Sequence, residues 1–251
     1  MASLIFVALL GLLAGFLIGA AGIGGVILVP SLVYLAGVPI LAAISGATLS
    51  YILTGLLGTL LYAKAKFIRW DMAGWLMAGA MPAALAGAFA AHLATGALLQ
   101  LVIALLAGIS GVHTLLFRKE SEDACVHSIS NRVLAAAGAV TGFASALTGT
   151  GGPLVLVPVL LWLDSPVLTA IGLSQVIQLP VSLVATAGNF YNGNLDPRLA
   201  GLLAVGMPLG VWLGSKLAQT LPRPTLQRAL SLLLIMVGML IFSEVATQFI
   251  L

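Results

Sequence analysis

The sequence predicts an all-α integral membrane protein made of two inverted-topology repeats. Each repeat is expected to hold a broken or re-entrant helix pair and three long transmembrane helices. Composition is the first reason: of 251 residues, 61% are hydrophobic and 7% are charged, whereas soluble domains carry roughly 25% charged residues. The second reason is that uncharged runs such as 1–63 exceed the roughly 20 residues that cross a bilayer as a helix. The third reason is an internal repeat.

This repeat is seen when each residue is compared with the residue 127 positions later. The glycines that match are Gly11/Gly138, Gly15/Gly142, Gly22/Gly149, Gly24/Gly151 and Gly25/Gly152. Such a match of glycines in one order indicates duplication. We therefore expect transmembrane repeat 1 over 1–117, a polar cytoplasmic linker over 118–131 and transmembrane repeat 2 over 132–251.

The apolar segments give the helices of each repeat in order. They are predicted at 3–21, 26–36, 40–63, 71–94 and 97–117, and at 132–149, 153–163, 166–190, 198–219 and 225–249. The second segment of each repeat is too short to cross, because ten residues reach about 15 Å, half of a ~30 Å hydrocarbon core. The broken pair then returns to its starting side, and an odd number of further spans gives the two repeats opposite orientations.

Basic residues test this topology. If the loop 64–69 is cytoplasmic, nine of the ten Lys and Arg residues lie inside and only Arg198 lies outside, which agrees with the positive-inside rule. Both termini are then external. Inverted repeats of this kind are the recurrent plan of secondary transporters, which bind substrate near the midplane at the ends of discontinuous helices.

The break in each repeat is a Gly-x-Gly-Gly motif, AAGIGGVILVP over 20–30 and LTGTGGPLVLVP over 147–158. Glycine lets the backbone turn sharply and approach a ligand, and the N–H groups that open the next helix suit an anion. The predicted ligand-binding residues here are Gly22, Gly24, Gly25, Gly149, Thr150, Gly151 and Gly152. The predicted structural helix breaks are Pro30, Pro153 and Pro158. Gly11, Gly15, Gly138 and Gly142 are assigned instead to close helix packing.

A polar stripe follows one face of the third span of repeat 2. It contains Ser174, Gln178, Ser182, Thr186 and Asn189, spaced three or four residues apart, and Gln175 flanks it. The equivalent span of repeat 1 carries a thinner stripe of Ser45, Thr48, Tyr51 and Thr59. We expect Thr48, Ser174, Gln175 and Gln178 to bind substrate. Hydrogen bonding between helices is the alternative for each of these groups.

Other functions are disfavoured by what the sequence lacks. Acidic residues fall at predicted span ends or in the linker, so no buried carboxylate is expected for a proton relay. The sequence shows no catalytic grouping and no Cys/His cluster with metal-ligand spacing, and Cys125 has no cysteine to pair with. We expect neither an enzyme nor a cofactor, a metal or a nucleic-acid partner.

The stretches GFLIGAAGIGGVILVP and GFASALTGTGGPLVLVP resemble the paired motifs of the sulfite exporter TauE/SafE family. The resemblance extends over nearly the whole chain. The residues that carry it are Gly22, Gly24, Gly25, Pro30, Gly149, Gly151, Gly152 and Pro158. Family members often have a third consecutive glycine where this chain has Val26 and Pro153. The resemblance implies export of a small sulfur-containing anion, such as sulfite or a sulfonate, across the bacterial inner membrane.

Together these observations predict a multi-pass transporter that holds a small anion at a midplane site between the repeats. The alternatives are an anion channel, an importer of a related anion, and a membrane-embedded scaffold or enzyme. The expected partners are the anion and the lipid bilayer, and a homodimer is left open. An inside-negative potential favours outward movement of a monovalent anion by about 2.3 kcal/mol per 100 mV, so export needs no coupled ion.

Overall fold

A computed structural model describes residues 4–90, 129–148, 151–191 and 197–250, with isolated helical residues between 105 and 116. The predicted span 97–117 and most of the linker 118–131 lie outside the described residues. So do Gly149 and Thr150 of the second glycine motif.

The described residues fold as helices joined by short turns. Repeat 1 contains α1 (Leu4–Ala21), α2 (Gly25–Tyr34), α3 (Ile40–Lys64) and α4 (Trp70–Ala90). Repeat 2 contains α5 (Asn131–Thr148), α6 (Pro153–Trp162), α7 (Val167–Tyr191), α8 (Pro197–Thr220) and α9 (Arg223–Ile250). Of these helices, α1, α3, α7 and α8 are long and apolar enough to cross a membrane. The predicted all-helical membrane class is confirmed.

The two short helices α2 and α6 follow the glycine motifs, as predicted. Pro153 occupies the first turn of α6, where its missing N–H costs no hydrogen bond. The prediction that Pro30 and Pro158 are helix breaks is wrong, because α2 continues to Tyr34 and α6 to Trp162. A proline six residues into a helix removes one i→i−4 bond and can bend the helix without ending it. Each break therefore lies before its short helix.

Helix α1 of repeat 1 packs closely against α8 of repeat 2. A methyl group added to Gly15 would collide with the backbone of Met207, and one added to Gly210 would collide with the Leu12 carbonyl. Gly11 lies at a looser point of this contact, because its added methyl group would meet the flexible end of Leu203 at 3.1 Å. Backbones come this close only where the interface residues are small.

Helices α4 and α5 form a second contact of the same kind, again between the two repeats. Added methyl groups on Gly138 and Gly142 would collide with the backbones of Leu76 and Ala80. The packing role predicted for Gly15, Gly138 and Gly142 is confirmed. The fourth helix of each half therefore packs against the first helix of the other half.

Helices α3 and α7 cross at the centre of this arrangement and contact each other extensively. Most residues of α7 between 167 and 187 are buried, whereas most residues of α1 are not. The outer faces carry exposed apolar side chains, among them Leu9, Leu13, Leu53, Leu56, Leu60, Leu209 and Leu213. A helix bundle whose outer faces are apolar and whose interior is polar is suited to a lipid bilayer. The polar groups of α3 and α7 therefore lie in the protein interior.

Candidate functional site

The two glycine breaks lie next to each other in the folded chain. Gly22 adopts a left-handed φ of +76°. A Cβ atom added there would lie 3.0 Å from Ser174 Oγ, 3.1 Å from Val157 Cγ2 and 3.3 Å from Pro153 Cβ. The end of α1 thus contacts the first residues of α6 in the other repeat.

The second break is built from two glycines that no other residue type replaces without strain. Gly151 has a φ of +82° and Gly152 a φ of +99°, values that side chains with a Cβ rarely adopt. The ring of Tyr51 covers Gly151, since a Cβ there would lie 2.9 Å from Tyr51 Cδ2. Ser145 Oγ lies 3.6 Å from a Cβ placed on Gly152. Ile177 of α7 lies closer, 3.3 Å from the same position, so this break is lined by α3, α5 and α7 as well as by α6.

The equivalent glycines of the first break have a different geometry. Gly24, the counterpart of Gly151, has a right-handed φ of −69°. A methyl group there would collide with the carbonyl oxygen of Ala14 in α1. Gly25 begins α2 and has no positive φ. The requirement for glycine at position 24 is thus close packing within the helix pair.

Both predicted glutamines are buried and hydrogen-bonded within the protein. The Gln175 amide donates to the Ile18 carbonyl of α1 at 2.8 Å. The Gln178 amide donates to the Tyr51 carbonyl at 3.2 Å and to Thr54 Oγ1 at 2.7 Å. Both N–H groups of Gln178 are therefore used in joining α7 to α3. The side-chain atoms of the two glutamines that lack a partner within the described residues are the acceptors Oε1.

The two stripe hydroxyls predicted to bind substrate are hydrogen-bonded locally, whereas others of the two stripes, Ser182 among them, have no partner within the described residues. Ser174 Oγ donates to the Ile171 carbonyl at 2.7 Å, and Thr48 Oγ1 donates to the Ser45 carbonyl at 3.0 Å. Both bonds return to the preceding turn of the same helix, as buried Ser and Thr often do. Their protons are not directed at a ligand in this conformation.

Free hydroxyl donors are instead found elsewhere around the second break. Tyr51 is fully buried, Ser145 is 1% exposed, and neither hydroxyl has a hydrogen-bond partner in the described part of the chain. Buried polar groups are almost always hydrogen-bonded, so two such donors near one helix start need an explanation. Sequence reasoning placed Tyr51 in the stripe without assigning it to binding, and it passed over Ser145.

The interior of the described helices is polar but carries no charge. The buried polar residues are all Ser, Thr or Gln, and the charged side chains with a described environment lie at helix ends or in turns. Arg69 and Asp71 form an ion pair at the start of α4, where Asp71 is exposed. Among the described residues, no cluster of three His, Cys, Asp or Glu could hold a metal. Any anion bound inside is therefore held by neutral donors.

A bundle of apolar helices with neutral polar groups gathered at two interrupted helices is typical of a membrane transporter. Comparison of the chain with known protein families agrees with this class. The profile described as "Sulfite exporter TauE/SafE" matches residues 7–241. The chain belongs to this family, whose members are membrane transporters and not enzymes. The resemblance predicted from the paired motifs is confirmed.

One curated relative covers almost the whole chain. It is the "Probable membrane transporter protein YunE" of Bacillus subtilis (strain 168), with 27% identity over 266 aligned positions. The alignment covers 94% of this chain and 96% of the relative. No solved structure matches the chain.

Proposed function

We propose that this transporter exports a small monoanionic sulfur oxyanion, such as hydrogen sulfite or an organosulfonate, across the bacterial inner membrane. The observation that carries the proposal is the neutral, donor-bearing interior beside two helix N-termini. Helix N-termini and hydroxyl groups stabilise an anion. They supply no full positive charge, so a dianion, which costs far more to desolvate, is disfavoured.

The membrane potential favours outward transport of the anion. With the cell interior negative, one anion moving outward gains about 2.3 kcal/mol per 100 mV. The described helices provide no buried carboxylate that could couple this movement to protons. Export therefore runs as uniport.

The inverted orientation of the repeats is part of the proposal, and the antiparallel course of the equivalent helices α3 and α7 supports it, since Tyr51 meets Gln178 and Gly58 meets Gln175. Exchanging the two repeats turns the α1–α8 contact into the α5–α4 contact, and both are close glycine contacts. The hydrogen bond from Gln178 to the Tyr51 carbonyl joins residues that are 127 positions apart. Equivalent residues of two repeats meet only at the axis that relates them. We place this axis where α3 and α7 cross.

Reporter fusions test the orientation. Fusions after Phe67, Asp123 and Pro222 should report the cytoplasm, and fusions at Gly96, Asn194 and the C-terminus should report the exterior. A cytoplasmic C-terminus would rule out opposite orientations.

Counterflow in proteoliposomes tests the substrate. We expect saturable flux of methanesulfonate at all pH values. Flux of sulfite should rise as the pH falls and the monoanion replaces the dianion. Sulfate should exchange poorly. Flux of sulfate equal to that of methanesulfonate would contradict monoanion selectivity, and unsaturable electrical current would favour the channel alternative.

A further inference from the structure

We infer that the anion binds at the second glycine break alone, where the hydroxyls of Tyr51 and Ser145 and the N-terminus of α6 supply the donors. This inference rests on the proposed function and adds where the substrate sits and which side chains hold it. Neither residue belongs to the paired motif pattern of prolines and glycines that identifies the family.

Helices α3, α5, α6 and α7 converge on this break. Tyr51 comes from α3 and lies against Gly151, and Ser145 comes from α5 and lies near Gly152. Gly152 is the N-cap of α6 and, having no side chain, leaves the first N–H groups of α6 without a side-chain cap. Pro153 has no N–H and the Val155 N–H donates to the Gly152 carbonyl at 3.2 Å, so among the first three residues of α6 only Leu154 can offer an N–H. Donors from a helix start and from two other helices thus lie around two glycines, and the missing Cβ atoms let the Tyr51 ring and Ser145 come close to the backbone.

The first break lacks an equivalent set. The counterpart of Ser145 is Ile18, whose carbonyl already accepts the amide of Gln175. The residue of repeat 1 that corresponds to Gln175 is Thr48, whose hydroxyl donates within its own helix. Ser174 lies beside Gly22, and its hydroxyl proton is likewise used within α7. The first break is therefore closed by internal hydrogen bonds, and the second has free donors.

The chemistry of the second break selects an oxyanion. Hydroxyl donors form short hydrogen bonds to anionic oxygen and are roughly twice as strong there as between neutral groups. The two hydroxyls and the start of α6 belong to different helices, so a ligand with several acceptor oxygens can accept from more than one of them. A sulfonate or hydrogen sulfite has such oxygens, whereas a halide presents one spherical acceptor.

The test uses Tyr51→Phe and Ser145→Ala in reconstituted full-length protein, with radiolabelled methanesulfonate counterflow. Each change deletes one hydroxyl and keeps the shape of the side chain. Loss of one hydrogen bond to a charged ligand should raise the half-saturation concentration by roughly ten- to a hundredfold. The methanesulfonate concentration that half-maximally protects the detergent-solubilised protein against thermal unfolding should rise by the same factor.

Two matched variants are the controls. Tyr62→Phe removes a fully buried tyrosine hydroxyl from α3, but that hydroxyl donates to the Gly19 carbonyl at 2.8 Å. Ser215→Ala removes a buried serine hydroxyl that donates to the Trp212 carbonyl of its own helix. Both should lower thermal stability and leave the half-saturation concentration unchanged.

The outcomes separate this inference from the proposed function. Weakened binding in Tyr51→Phe and Ser145→Ala, with normal binding in both controls, supports the inference. Unchanged binding in the two test variants, or equal weakening in the controls, overturns it while the transport function stands. Absence of methanesulfonate and sulfite flux in the wild-type protein overturns the proposed function itself.

Discussion

The two glycine breaks carry the same Gly-x-Gly-Gly motif and differ in how their polar groups are used. At the first break, Gln175 donates to the Ile18 carbonyl and Ser174 donates within its own helix. At the second break, the hydroxyls of Tyr51 and Ser145 have no partner within the described residues. A backbone motif that is repeated in a chain therefore need not bind the ligand in both copies. The polar groups of one copy can be hydrogen-bonded within the protein while the hydroxyl donors of the other copy remain free.

The largest effect is expected from Gly152→Leu. A leucine there must adopt a φ of +99°, which costs roughly 1–3 kcal/mol, and its side chain would project toward Ile177 and Ser145. We expect transport to be abolished in protein that still inserts and elutes as one species in size-exclusion chromatography. Gly201→Leu is the control, because Gly201 is exposed and has open space around it. Full transport by Gly152→Leu would show that the second break does not meet the substrate.

A smaller effect is expected when the second break is made to resemble the first. Thr48→Gln gives α3 the residue that its counterpart position 175 has in α7. The longer glutamine side chain should reach the free hydroxyl of Ser145 and compete with the anion for it. The half-saturation concentration should then rise about tenfold, in line with one competing hydrogen bond to a charged partner. Thr48→Val keeps the size of threonine and should change this concentration far less. A wild-type value in Thr48→Gln would mean that the two breaks do not differ through this position.

The smallest functional effect is expected in the packing layer, where the two repeats are alike. Gly15→Ala and Gly142→Ala each push a methyl group into the backbone of a facing helix. Such overpacking typically costs about 1–3 kcal/mol. Both variants should therefore lower the temperature of thermal unfolding by similar amounts. Gly11→Ala should lower it less, because Leu203 can move aside. Unequal shifts for Gly15→Ala and Gly142→Ala would contradict the equivalence of the α1–α8 and α4–α5 contacts.

The helices could be predicted closely from the sequence. Each described helix begins and ends within four residues of its predicted bounds, because long apolar runs and Gly/Pro punctuation are local signals. The packing glycines also follow from spacing, since Gly11 and Gly15 recur one helical turn apart. Pro30 and Pro158 misled the prediction because one missing hydrogen bond does not end a ten-residue helix.

The ligand donors could be predicted only in part. The stripe on α7 is buried over Ser174, Gln178 and Ser182, but the sequence does not show which of its protons are free. The Gln178 amide is used because α3 presents the Tyr51 carbonyl and Thr54 to it, a contact between residues far apart in the chain. Ser145 lies on α5 between Thr141 and Thr148 at helical spacing, a short polar pattern that the prediction did not use. Its proximity to Gly152 exists only once α5 and α6 pack together.

The most direct test of this account is to locate a bound anion by anomalous scattering. Crystals of the wild-type protein with bromomethanesulfonate would show the bromine, and the sulfonate beside it can then be placed. We expect one sulfonate at Gly151 and Gly152, with oxygens within hydrogen-bonding distance of the hydroxyls of Tyr51 and Ser145. A sulfonate at Gly22 and Gly24, with none at the second break, would contradict the account.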